Sequence, residues 1–226
     1  MTKRLLVAAL LAIGFAAARP AMAFTDLVPP FGSQPVSARV GSRTIFGLTF
    51  QVIVWQNKSS GACSTSIIGG ASGLNDDYLV HGTTGEDQLE IQPWFTSNSF
   101  CGSTIAPLVY GGHFIDLDGG PGPDAVICAS KGDSFIFGSE GDDVLLSFNP
   151  AGVLSGGPGN DSIYADGSPA NQIVFGDSGN DCLFSFSGAA QTFNCGDGSD
   201  TVSGTVPVNA TSCESTASLC PRNVIP

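Results

Sequence analysis

Large aliphatic side chains recur every nine to eleven residues through the second half of the chain, at Val126, Ile136, Leu145, Leu154, Ile163, Val174, Leu183 and Val202; Thr192 takes the one polar place in the series. Neighbouring side chains of a strand point to opposite faces, so one inward residue per short unit predicts strands that alternate between two facing stacks. Each full coil is then two strands and two turns around a thin, continuous core. Upstream, residues 36 to 56 are rich in β-branched and aromatic types, and Thr44-Ile45-Phe46 and the run from Leu48 to Trp55 read as the two strands of a hairpin. A stack of coils leaves bare core and unpaired backbone at its end, so this hairpin is expected to close the N-terminal end as a cap.

Between the strand positions a glycine-and-aspartate phrase returns five times: GGPGPDAVI from Gly119, GSEGDDVLL from Gly138, GGPGNDSIY from Gly156, GDSGNDCLF from Gly176 and CGDGSDTVS from Cys195. Its sixth place falls at Asp124, Asp143, Asp161, Asp181 and Asp200, in steps of 19, 18, 20 and 19 residues. A fixed step of this size is a structural period, and the phrase fits G-G-x-G-x-D-x-U-x, with U a large apolar residue. On these residues, about the C-terminal half of the chain resembles the RTX, or hemolysin-type, family of secreted calcium-binding repeat proteins. The resemblance implies an all-β, right-handed parallel β-roll or β-solenoid that folds on binding Ca²⁺. Each ion would be shared by adjacent turns, at the pairs Asp124/Asp143, Asp143/Asp161, Asp161/Asp181 and Asp181/Asp200. Gly120, Gly122, Gly141, Gly157, Gly159, Gly179, Gly196 and Gly198 would shape the turns. The second place is Ser139 or Asp177 in two copies, and the first is Cys195 in the last.

Elementary electrostatics agrees with a cation here. Successive coils sit ~4.8 Å apart, and two bare carboxylates at that spacing repel by roughly 3.5 kcal/mol at an effective dielectric of 20. Glycine lets the backbone take positive φ and turn its carbonyls inward. Carbonyls and carboxylates make a loose, anionic, all-oxygen set, which suits Ca²⁺ better than Mg²⁺ and offers nothing soft for zinc.

The rest of the chain divides around this row. Residues 1 to 23 have a basic start at Lys3-Arg4, an apolar run from Leu5 to Ala18 and a small-x-small end at Ala21-Met22-Ala23, the layout of a cleaved signal peptide. Residues 24 to 72 form the expected N-terminal β cap. Residues 73 to 118 hold two degenerate copies of the phrase, with Asp77 and Asp87 at the sixth place as weaker ligand candidates, and an insertion from 92 to 110 carrying Trp94, Phe95, Phe100 and Cys101. Those aromatics either pack on the roll or offer a partner surface, a cell-surface glycan or protein. Residues 119 to 203 are the roll, and 204 to 226 a C-terminal cap and tail.

Net charge is −12 for the whole chain; without residues 1 to 23, five basic residues face twenty acidic ones, or −15. This balance disfavours nucleic acid, and no stretch approaches the ~20 apolar residues of a membrane span. Seven cysteines fit an oxidising compartment, so the protein is expected to be secreted or periplasmic. The tail pattern CGxGxDxV followed by CE, associated with the last coil of RTX-like proteins, implies a Cys195–Cys213 disulfide. Cys63 with Cys101 is the second pairing and Cys182 with Cys220 the third, leaving Cys128 over.

Catalytic motifs are sparse. Gly176-Asp177-Ser178-Gly179 resembles the nucleophile loop of serine proteases, but it lies in register with four phrases that lack that serine, and His81 and His113 sit in no matching context. The reading is therefore a calcium-binding protein with a structural or adhesive role and no enzymatic activity. The rival is a secreted hydrolase whose active site lies in residues 24 to 118, with the roll as a folding tail.

Overall fold

The computed structural model describes residues 24–92, 97–109, 114–129, 134–148, 151–165, 171–185, 192–204 and 209–217. Every regular element among them is a β-strand. One sheet of eight parallel strands runs in chain order through Thr25–Leu27, Tyr78–His81, Ile115–Pro121, Ser134–Glu140, Ala151–Pro158, Asn171–Ser178, Thr192–Asn194 and Asn209–Thr211. The second sheet has eleven strands, of which Gln88–Ile91, Ala125–Cys128, Val144–Ser147, Ser162–Ala165, Cys182–Ser185, Thr201–Gly204 and Ser215–Ala217 are parallel neighbours. From Ile115 onward the chain alternates between the sheets, one strand in each per coil. The architecture is that of a parallel β-solenoid.

Register places the aliphatics in two columns. In the first sheet Val80, Leu117, Ile136, Leu154, Val174 and Phe193 are successive partners. In the second, Leu89, Val126, Leu145, Ile163, Leu183 and Val202 are. All belong to one buried core cluster. One position departs from the expected series: Phe193 points inward and Thr192 is exposed. The connection leaving Ser185 is one residue longer than the one leaving Ser147, and a one-residue slip carries a strand's side chains to the opposite face.

The expected hairpin is present and longer than its best strand segments. Val36–Ile45 and Leu48–Asn57 pair antiparallel over ten residues each, with Phe46 and Gly47 as the turn. Val36–Ile45 adds in parallel to Gln88–Ile91, and Leu48–Asn57, Cys63–Gly70 and Gly73–Leu74 extend the same sheet antiparallel. Ile53, Trp55, Ile68 and Leu74 share the core cluster of the coils, and the Tyr78 hydroxyl donates to the Ile68 carbonyl at 3.1 Å. On the other face Val52, Val54 and Ile105 meet Phe50 and Phe100, held by the Cys63–Cys101 disulfide. Phe100 thus packs on this face, with the Arg39 guanidinium 5.0 Å from its ring centre. Trp94 and Phe95 lie outside the described residues, as do 1–23, His113 and Cys220.

Candidate metal centre

The five phrases form five turns from the first sheet to the second, stacked on one edge. Close stacking needs glycine: a Cβ on Gly159 would lie 1.8 Å from the Gly141 carbonyl oxygen, and one on Gly198 1.5 Å from that of Gly179. The second place of the phrase has φ near 100° in Gly120, Gly157 and Gly196, and Ser139 and Asp177 accept a similar strained backbone at φ 85° and 76°. Their side chains bond to the preceding coil. Ser139 donates Oγ–H to Asp118 Oδ1 at 2.7 Å, and Asp177 Oδ2 accepts from the Ser155 hydroxyl.

The sixth-place aspartates make a continuous ladder. The backbone N–H of Asp124 donates to Asp143 Oδ1, that of Asp143 to Asp161, that of Asp161 to Asp181 and that of Asp181 to Asp200, each at 2.8 Å. The ladder extends beyond the five: Asp87 N–H donates to Asp124 Oδ1 at 2.7 Å, Val36 N–H to Asp87 Oδ1 at 2.6 Å, and Asp200 N–H to Glu214 Oε2 at 2.7 Å. One oxygen of each aspartate is therefore engaged by a main-chain donor.

The other oxygen is not. Oδ2 of Asp124, Asp143, Asp161, Asp181 and Asp200 is buried and meets no hydrogen-bond partner. Each of the first four faces a notch over the first-place glycine. A Cβ built on Gly119, Gly138, Gly156 or Gly176 would lie 2.1–2.5 Å from the Oδ2 of its own turn and 2.2–2.9 Å from the first-place carbonyl oxygen of the next. Carboxylate and carbonyl oxygens thus converge along the row, and any side chain at these glycines would displace them. These four glycines were absent from the expected turn-shaping set, although the first letter of the phrase marks them.

Burial is the main cause of a raised pKa in every one of these carboxylates, partly offset by the main-chain donor and reinforced by neighbouring acids. Asp124 and Asp161 are pushed up to about 8, Asp143 to about 7 and Asp181 to about 6, and Asp200 is raised. Buried carboxylates with an unanswered oxygen call for a proton or a cation.

The two weaker candidates part company. Asp87 stands in the row, but Thr83, at the second place of its copy, gives both its N–H and its hydroxyl to that carboxylate, leaving neither oxygen orphaned. Asp77 precedes a strand of the first sheet, so it lies on the opposite edge, where its Oδ1 accepts from Phe114 N–H at 2.8 Å. Most turns of that edge fall outside the described residues.

No family model, curated protein or solved structure matches this chain.

Among the described residues no three His, Cys, Asp or Glu side chains converge as a ligand set. A cation on the row must then draw on main-chain carbonyls and water as well as on the aspartates, a hard-oxygen set of the kind calcium accepts. His81 lies off the row, with Nδ1 3.1 Å from Asp118 Oδ2 and Nε2 3.5 Å from Asp26 Oδ1. The hydrogen bond to Asp118 is the main cause of its raised pKa. Ser139 meets Asp118 rather than the imidazole, an order unlike a nucleophile and its base.

A second ladder runs outside the first and has no counterpart among the expected site residues. Asn160 N–H donates to Asp142 Oδ1, Asn180 N–H to Asn160 Oδ1 and Ser199 N–H to Asn180 Oδ1, at 2.8–2.9 Å. These exposed fifth-place residues keep the turns in register. The Cys195–Cys213 disulfide is formed and Cys128 is a buried thiol, while the Cys182–Cys220 pairing involves a residue outside the described set.

Proposed function

We propose that this chain is an exported RTX-like calcium-binding protein, a right-handed parallel β-roll closed by an N-terminal β cap and a disulfide-pinned C-terminal cap, with a structural or adhesive role outside the cytoplasm. One observation carries the reading. The five aspartates singled out by the repeat are the same five whose second carboxylate oxygen is buried without a partner.

When bound, calcium supplies the positive charge that the row lacks. Asp124, Asp143, Asp161, Asp181 and Asp200 would hold it through Oδ2, while Oδ1 stays with the ladder of main-chain donors and keeps each carboxylate oriented. Gly119, Gly138, Gly156 and Gly176 keep the notch open and bring the next turn's carbonyl to it. The second-place and fourth-place glycines let the coils approach closely enough to form a row. Binding and folding are then coupled, since the ligands come from turns far apart in the chain.

The role assigned to the molecule is to order itself where calcium is plentiful and to present a rigid surface there. The Cys63–Cys101 and Cys195–Cys213 disulfides fit an oxidising compartment, and no helix among the described residues is long and apolar enough to cross a membrane. The test is circular dichroism of the oxidised protein titrated with calcium and with magnesium at neutral pH. Millimolar calcium should increase strand signal and thermal midpoint, and equal magnesium should not. Equal ordering by both ions, or by neither, sinks the reading.

A further inference from the structure

The chain makes one more turn after Asp200, and it is built differently. In each turn of the row six residues separate the first-sheet column Asp118, Phe137, Ser155, Phe175 and Asn194 from the start of the second-sheet strand, as between Phe175 and Cys182 or between Asn194 and Thr201. Between Thr211 and Ser215, the next positions in those two columns, there are only three: Ser212, Cys213 and Glu214. Ser212 takes a left-handed φ of 54°, and Cys213 is disulfide-bonded to Cys195, the residue that replaces the first glycine of the turn below.

Glu214 nevertheless stands where an aspartate would. It directly precedes Ser215, whose N–H donates to the Asp200 carbonyl at 3.0 Å, just as Asp200 precedes Thr201, whose N–H donates to the Asp181 carbonyl. Its Oε2 accepts from Asp200 N–H at 2.7 Å, the contact that every sixth-place aspartate makes with the coil before it. The extra methylene of glutamate spans the distance that the shortened turn leaves.

We propose that Glu214 is the terminal carboxylate of the row and that, with Asp200, it holds one further calcium ion at a position set by the Cys195–Cys213 disulfide. The proposal rests on the calcium reading above. Beside Glu214 stands Asp200, which has no exposed surface, spends Oδ1 on the Asp181 amide and has an Oδ2 that meets no partner. A lone amide at the end of the ladder could be satisfied by any neutral acceptor. Glu214 is exposed, but its charge bears on the buried, half-satisfied carboxylate of Asp200, and a cation held with both would relieve that repulsion. Three missing residues also remove the turn glycines, so this position takes a larger share of its ligands from side chains than the inner ones do. The disulfide replaces the missing turn as the element that holds the carboxylate in place.

The test is native mass spectrometry of the oxidised protein titrated with calcium chloride, comparing wild type with Glu214→Gln. Glutamine keeps an acceptor for the Asp200 amide, so a purely structural role is rescued by it and a ligand role is not. The expected result is one calcium ion fewer at saturation, with the other ions retained and the circular dichroism spectrum unchanged. A Cys195→Ser/Cys213→Ser variant should lose the same ion. If Glu214→Gln binds as many ions as wild type, Glu214 is no ligand and the proposal falls while the calcium reading stands. If wild type binds no calcium, both fall together.

Discussion

The N-terminal antiparallel strands and the repeat coils share one hydrophobic core and the eleven-stranded sheet, yet they solve opposite electrostatic problems. Between Asp26 and Asp76 the chain has no acidic residue and three basic ones. Its strands close around Ile53, Trp55 and Ile68, and Arg39 and Lys58 reach to Glu90 and Glu86 of the neighbouring coil at 2.7 and 3.1 Å. Among the side chains described there, Arg39 Nε is the one buried polar atom without a partner. The coils instead offer one aliphatic per strand and bury a column of carboxylates whose orphan oxygens no side chain answers. Hydrophobic burial accounts for the first region, whereas the second needs something from solution.

The strongest test of this contrast is removal of divalent ions at pH 8. Without a counter-ion, adjacent carboxylates oppose folding by up to roughly 3.5 kcal/mol per pair, which corresponds to a more than hundredfold change in a local opening equilibrium. Amide hydrogen exchange of the strands from Ile115 to Gly204 should accelerate by up to about that factor on chelation, while Val36–Ile45 and Leu48–Asn57 keep their protection. Loss of protection at one common rate in both regions would break the comparison.

A smaller effect separates the ladder from the ion. Asp161→Asn keeps an acceptor for the Asp143 amide and removes the charge, whereas Asp161→Ala also leaves that buried amide unpaired, at about 1–3 kcal/mol. In chelator at pH 8 the Asn variant should be more stable than wild type and the Ala variant less stable than the Asn one. Both should need more calcium to order. Asp161→Ala should shift the calcium midpoint further than Asp124→Ala, because Asp161 sits mid-row between two neighbouring turns and solenoid stability depends on nearest-neighbour interfaces. Thermal denaturation across a calcium series reads both quantities, and equal midpoints for the two Ala variants would refute shared occupancy.

The mildest handle is pH. The row carboxylates are raised from the ordinary 3.8 to as high as about 8, mainly by burial, so between those values the folded chain holds more protons than the unfolded one. Metal-free stability should therefore fall as pH rises from about 4 through about 8 and level off above. Calcium competes with those protons, so its midpoint should drop over the same range. Melting curves in chelator at pH 5 and pH 8 measure the slope, and a metal-free protein more stable at pH 8 would contradict it.

Much of this organisation was legible in the chain. The aliphatic column, the strand alternation and the alignment of the five aspartates stand where the sequence pattern puts them, because a repeat places equivalent residues in equivalent surroundings; the Cys195–Cys213 and Cys63–Cys101 disulfides are formed as well. Legibility failed where the period slipped, as at Thr192 and Phe193, since one added loop residue cannot be assigned to a turn or to a strand from spacing alone. It also failed for Asp77 and Asp87, which look alike as degenerate copies. Only the fold sends one to the opposite edge and gives the other a threonine that satisfies both its oxygens.

What the sequence determined by itself is the period, hence which residues share a column and which face the core. What only the tertiary structure decided is the fate of each oxygen in that column. Hydrogen bonding is directional, so whether a carboxylate is answered by the amide of the coil before it, by Thr83 or by nothing depends on where neighbouring coils come to rest. The same holds for Glu214, whose place at the end of the row follows from a turn three residues short and a disulfide across it, a distance in space that no spacing along the chain encodes.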